Sequence, residues 1–141
     1  MGAWEKMYDV MGVINLFKEY GSLDELTYYR NQASVPFAGK YRLIDFTLSN
    51  MVNSGIQDIA VLTNNKYRSL MDHLGTGKDW DLDRRRGGLF ILPPSFHYSN
   101  EKGDLQYFHQ HLDFFIRGFQ KYVLITTGPV SYTHLTLPTK R

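Results

Sequence analysis

The chain of 141 residues contains no cysteine, which excludes disulfides and thiolate metal centres and points to a reducing, cytoplasmic setting. Neither sign of charge dominates, with 16 Lys and Arg against 14 Asp and Glu. The formal net charge is +2, and Arg84-Arg85-Arg86 is the one dense cationic cluster, so nothing marks a nucleic-acid partner. No apolar run approaches the ~20 residues that a helix needs to cross a bilayer, and no membrane partner is expected. The N-terminus does not read as a secretory leader, because the apolar stretch Val10–Leu16 is short and follows Glu5, Lys6 and Asp9. Internal repeats and low-complexity tracts are lacking. What remains is an ordinary globular composition, 43% hydrophobic and 21% charged, enough for one core in a single domain or part of a larger one.

Hydrophobic patterning divides the chain into alternating strands and helices. Val10–Leu16 is a continuous, β-branched apolar run, as expected of a strand buried on both faces. Phe17–Asn31 reads as a polar loop. Arg42–Asn53 carries Leu43, Ile44, Leu48, Met51 and Val52 at helical spacing, with Gly55 at the helix stop. Asp58–Thr63 is a second strand. Asn64 and Asn65 can cap a helix Lys66–Leu74 that turns Tyr67, Leu70, Met71 and Leu74 to one face. Thr76–Gly88 reads as a long polar loop and Leu89–Leu92 as a short strand stopped by Pro93-Pro94. Asp104 can start a helix to about Phe119, with Leu105, Phe108, Leu112, Phe115 and Ile116 inward, and Tyr122–Thr127 is a further buried strand.

This alternation predicts an α/β fold of the Rossmann-like type: a mostly parallel sheet with helices on both faces, incomplete at this length. Ligands of such folds bind beyond the carboxyl ends of the strands, which places Phe17–Val35, Asn64–Asn65 and Thr127–Pro129 beside any site. By domain, residues 1–9 are an N-terminal extension and 10–129 the N-terminal part of the α/β domain. Residues 130–141 read as a non-native tail: V-S-Y-T-H-L-T-L-P-T matches one reading frame of a common sequencing adapter, and it has neither helical nor strand period. The alternative is a polar loop of the protein itself.

The segment Val35–Ile56, V-P-F-A-G-K-Y-R-L-I-D-F-T-L-S-N-M-V-N-S-G-I, resembles the ADP-glucose pyrophosphorylase (glucose-1-phosphate adenylyltransferase) family. So do H-L-G, W-D-L-D-R, I-L-P-P and Y-V-L-I, in the same order, and together they cover about Met11 to Pro129. The resemblance implies a nucleotidyltransferase-like domain whose family joins ATP to glucose 1-phosphate, giving ADP-glucose and pyrophosphate. Catalysis of that kind is positioning and charge neutralisation, with magnesium as the cofactor in the family's catalytic subunit.

Set against the family, the chemistry-bearing positions depart. The triphosphate loop Gly-Gly-x-Gly-Thr-Arg-Leu reads Phe17-Lys18-Glu19-Tyr20-Gly21-Ser22-Leu23, so bulky side chains stand where amides must approach phosphate oxygens. The lysine of R-A-K-P-A-V-P-F is Gln32, the aspartate of G-T-A-D-A-x-x-Q is Gln106 while Gln110 is retained, and the magnesium-binding aspartate after the last strand is Pro129. The framework strings are spared. This pattern resembles the non-catalytic GlgD-type subunit of the family, which implies a regulatory subunit in bacterial glycogen biosynthesis. It would have no catalytic residue and no metal of its own, and would work in a hetero-oligomer with the catalytic subunit. An active nucleotidyltransferase with an atypical phosphate loop and a module that binds a sugar-phosphate or nucleotide effector are the alternatives.

Site candidates follow from these positions. Lys18, Gln32, Asn64 and Gln110 are read as pocket-lining, and Lys40 and Arg42 as holding an anionic effector or phosphate. For Arg42 a structural role beside Asp45 at the strand-to-helix turn is the competing reading. Arg84–Arg86 can receive a phosphate or acidic partner, or pair internally with Asp79, Asp81 and Asp83, at about 0–1 kcal/mol per exposed pair. His109 and His111 are two apart on a helix and so face different ways, which argues against a metal site.

Overall fold

The computed structural model describes residues 9–17, 29–30, 32–37, 39–64, 66–83, 88–93, 109, 111–118 and 120–127. Nine elements are used below: β1 (Val10–Asn15), β2 (Pro36–Phe37), β3 (Tyr41–Arg42), α1 (Leu43–Asn53), β4 (Asp58–Leu62), α2 (Arg68–Leu74), β5 (Gly88–Leu92), α3 (Leu112–Arg117) and β6 (Tyr122–Thr127). Two single 3-10 turns, Gln32–Ser34 and Lys78–Trp80, join them.

Four strands form a wholly parallel sheet in the order β5-β4-β1-β6, the arrangement expected of a Rossmann-like half. Strand alternation sends successive residues to opposite faces. Ile14, Ile59 and Val61 meet Ile44, Leu48 and Met51 of α1 and Leu70 and Leu74 of α2 in the main core. Met11, Val13, Ala60 and Leu62 face the other way, where Phe17, Leu92, Phe114 and Phe115 pack on them. Helices thus cover both faces. At Gly12 the sheet meets α1 tightly: a Cβ there would stand 2.7 Å from the Met51 sulfur.

Several boundaries differ from the sequence reading. Arg42 is not helical; it is extended (φ −128°, ψ 160°) and caps α1, whose N3 residue Asp45 accepts the Arg42 N–H at 2.8 Å. Asn64 does not cap α2, and Asn65 lies outside the described residues. Asn64 Oδ1 accepts the Lys66 N–H at 2.9 Å in an Asx turn, which delays the helix to Arg68 with Tyr67 as its cap. Met71 is correspondingly exposed. The polar stretch after α2 is built, not open: Gly77 adopts φ +81°, the turn Lys78–Trp80 follows, and Leu82 is buried beneath it. The strand then starts at Gly88, one residue early.

Of the last helix, Asp104–Phe108 lies outside the described residues, and Ile116, read as inward, is exposed. β6 is not buried on both faces either. Its Val123 and Ile125 are about half exposed, because α3 packs over β1, β4 and β5 and leaves β6 uncovered. Residues 1–8 and the tail 130–141 also lie outside the described residues.

His111 precedes α3, half-buried and hydrogen-bonded to the Pro93 carbonyl. Burial pulls its pKa below the usual 6.5, and the Pro93 bond partly opposes the shift. Because the folded state disfavours the charged ring, this contribution is intact above pH 6.5 and is lost as pH falls through the folded value. Urea midpoints measured from pH 7 to pH 5 should therefore fall more steeply for the wild type than for His111→Gln. Parallel curves would count against this source of acid sensitivity.

Candidate functional site

The chain leaves β1 for β4 on one side, and β6 later returns to β1's other side. The order of strands reverses between β1 and β6, and the crevice at their carboxyl ends is the switch point where such sheets bind ligands. Ladder bonds run to its rim: Leu16 N–H donates to Leu62 O at 2.7 Å and Thr63 N–H to Leu92 O at 3.1 Å. At the tip of β1 an Asx turn bends the chain out of the sheet, with Phe17 N–H donating to Asn15 Oδ1 at 3.1 Å. The Phe17 ring is packed on the second apolar cluster. The Phe17 amide, second after this strand, is thus engaged by the side chain of the strand's last residue, and the Phe17 ring packs on the core.

α1 and α2 run back against the strands, so their N-termini stand at the same rim. The turn Gln32–Ser34 packs against both helices. Arg42 ties these parts together: its Nη1 donates to Ser34 O at 2.6 Å and to Ser69 Oγ at 2.8 Å. Beneath it Asp45, 7% exposed, accepts the Arg42 N–H through Oδ2 and meets His73 Nε2 through Oδ1 at 2.7 Å. The guanidinium therefore bonds to Ser34 and Ser69, while the Asp45 contact is made by the Arg42 backbone.

Lys40 differs. It is exposed at the β2–β3 hairpin, with its ammonium 5.4 Å from the centroid of the Tyr41 ring, and Tyr41 stands 6.5 Å from Phe46. Lys40 and Arg42 occupy separate environments, one in solvent and one in the helix–turn junction. Asn64 sits at the tip of β4 with its side chain closing the Asx turn. Gln32 opens the 3-10 turn beside Ser34. Lys18 and Gln110 lie outside the described residues, as do Gln106, Arg84–Arg86 and Pro129. Among the described residues no group of three or more His, Asp or Glu could hold a metal ion, and no helix is long and apolar enough to cross a membrane.

Two parts of this rim escaped the sequence reading. Asn15 had a usable signal, since an Asn ending an apolar run before a polar loop favours an Asx turn. The bonds from Arg42 to Ser34 and Ser69 had none, because Ser69 lies 27 residues further along the chain.

Comparison with known proteins agrees with this geometry. The sequence profile described as nucleotidyl transferase matches residues 22–136. The chain is 51% identical over 122 residues to "Glycogen biosynthesis protein GlgD" of Geobacillus stearothermophilus, covering 84% of this chain and 36% of that protein. It is 49% identical over 121 residues to the Bacillus subtilis protein of the same name, again 84% of this chain and 35% of the relative. It is also 47% identical over 116 residues to "Glucose-1-phosphate adenylyltransferase" of Clostridium perfringens, 78% of this chain and 29% of that enzyme. The chain thus spans about a third of the length of these relatives.

Proposed function

The chain belongs to the nucleotidyl transferase family, and from that premise we propose that it is part of a regulatory subunit that does no chemistry itself. In this reading it assembles with a catalytic glucose-1-phosphate adenylyltransferase subunit in bacterial glycogen biosynthesis. The observation that carries the reading is the state of Phe17 at the tip of β1. A triphosphate cradle needs free backbone N–H groups and no side chains in the way. Here the Phe17 amide is bonded to Asn15 Oδ1 and its ring is packed on the core. Recovering the cradle would require breaking both contacts.

The donor set at the neighbouring strand tip does not fit magnesium. β6 ends in Thr126-Thr127 and the sequence continues Gly128-Pro129, with no carboxylate to offer a hard divalent ion. In this reading the magnesium that the reaction needs is held by the catalytic partner. Arg42, held by Ser34 and Ser69, acts as a strut of the rim. Lys40, exposed beside Tyr41, is the group that favours the effector-binding reading as the second one.

The test uses the full-length protein that contains this segment, with and without a catalytic glucose-1-phosphate adenylyltransferase subunit from the same organism. Assayed alone with ATP and glucose 1-phosphate, it should release no pyrophosphate above background; mixed with the partner, it should co-elute and change the partner's activity. Turnover alone within tenfold of ~10 per second would overturn the non-catalytic reading. Failure to co-elute would overturn the subunit reading.

A further inference from the structure

α1 ends, and the turn after α2 lies, at the amino-terminal edge of the sheet, opposite the β1–β6 crevice. A groove of about 390 Å³ opens there, lined among others by Ser49, Asn53, Lys78, Asp79, Trp80 and Asp81. We propose that this groove binds a neutral sugar ring, a role independent of the function proposed above.

The groove is built before any ligand arrives. Trp80 packs against the main core while also lining the groove. Its ring N–H donates to Ser49 Oγ at 3.3 Å, and His73 stands edge-on to it with centroids 6.4 Å apart. The indole is therefore held in place where it lines the groove, its one donor being already used. The turn beneath is fixed as well. Trp80 N–H and Leu82 N–H both donate to Gly77 O, at 3.1 and 3.0 Å, and Asp81 N–H donates to Lys78 O at 3.0 Å. Asp81 adopts the left-handed conformation (φ 58°), the only non-glycine among the described residues with positive φ.

The chemistry of the lining selects the ligand class. An aromatic surface suits the C–H face of a sugar ring, and exposed carboxylates, an amide and an ammonium around it suit its hydroxyls. Two carboxylates against one lysine leave the lining net negative, which disfavours a phosphorylated sugar. A cationic ligand is the competing occupant, tested below with an arginine analogue. The volume is at the small end of the ~300–1,000 Å³ usual for ligand pockets, matching one end of an oligosaccharide.

Titration of the ¹⁵N-labelled chain with maltotriose tests the proposal. The Trp80 indole N–H and the amides of Ser49, Asn53 and Asp79 should shift together and saturate in the millimolar range. Trp80→Ala should weaken binding by about tenfold or more. Asn53→Ala, on an exposed helix position, should weaken it severalfold while the rest of the amide spectrum stays in place, which separates loss of a contact from loss of fold. Three results would overturn the proposal: no saturable shift up to about 50 mM, tighter binding of glucose 1-phosphate than of maltotriose, or an equal response to N-acetylarginine amide.

Discussion

Gly12→Val should lower the urea midpoint of the chain by about 1–2 M, from a cost of about 3 kcal/mol and a slope of about 2 kcal/mol per M. Gly12 lies in the middle of β1 on the face that meets α1. A Cβ there would stand 2.7 Å from the Met51 sulfur and 3.4 Å from methyl or methylene carbons of Ile56 and Ile59. Met51, Ile56 and Ile59 are each no more than 1% exposed, so none has solvent into which to retreat. Methionine is the most adaptable of them, and Gly12→Ala should cost less, about 1–2 kcal/mol. The two positions should also be coupled. Met51→Ala alone leaves a cavity that costs about 2–5 kcal/mol, and in the Gly12→Ala background the new methyl occupies part of it. Strict additivity in that double-mutant cycle would mean that the strand and helix do not meet as described.

Asp58→Ala should cost about 2–4 kcal/mol, although it removes no apolar contact. Asp58 is 8% exposed at the start of β4, and its Oδ1 accepts the Gly88 N–H at 2.8 Å. Its Oδ2 accepts from the side-chain amide of Gln120, just ahead of β6. One carboxylate thus joins β4, β5 and the approach to β6 at the amino-terminal edge of the sheet. Truncation leaves a buried N–H without its acceptor, which is why the loss exceeds that of an ordinary hydrogen bond. Asp58→Asn keeps an acceptor for Gly88 and should cost clearly less. Unfolding midpoints for Asp58→Ala, Gln120→Ala and the double variant would measure the coupling; a double variant as unstable as the sum of the singles would remove the Gln120 link.

The parts of the fold that were legible in the sequence are those set by local periodicity. Val10–Asn15, Asp58–Leu62 and Leu43–Asn53 could be read because uninterrupted β-branched runs and apolar residues three and four apart leave few other conformations. Tyr122–Thr127 was readable as a strand but not as an exposed one. Its composition says that it can be buried, and only the placement of α3 over β1, β4 and β5 decides that Val123 and Ile125 are not. The helix starts at Arg68 and Leu43 were misplaced because side-chain and cap bonds at Asn64, Arg42 and Asp45 compete with the helix for the same backbone groups.

The candidate site divides along the same line. Which residue types stand near the strand tips is a property of the sequence: the bulky Phe17, Gln32, and the segment Val35–Ile56 that carries the family resemblance. What those residues do was decided in three dimensions. Phe17 could have swung into solvent; its bond to Asn15 and its packing against the sheet hold it in the core. Arg42 could have faced an anion beside Lys40; Ser34 and Ser69 take its guanidinium. Sequence fixes the chemical groups and their local geometry, whereas their partners come from segments tens of residues away, and those distances close only when the sheet and helices pack.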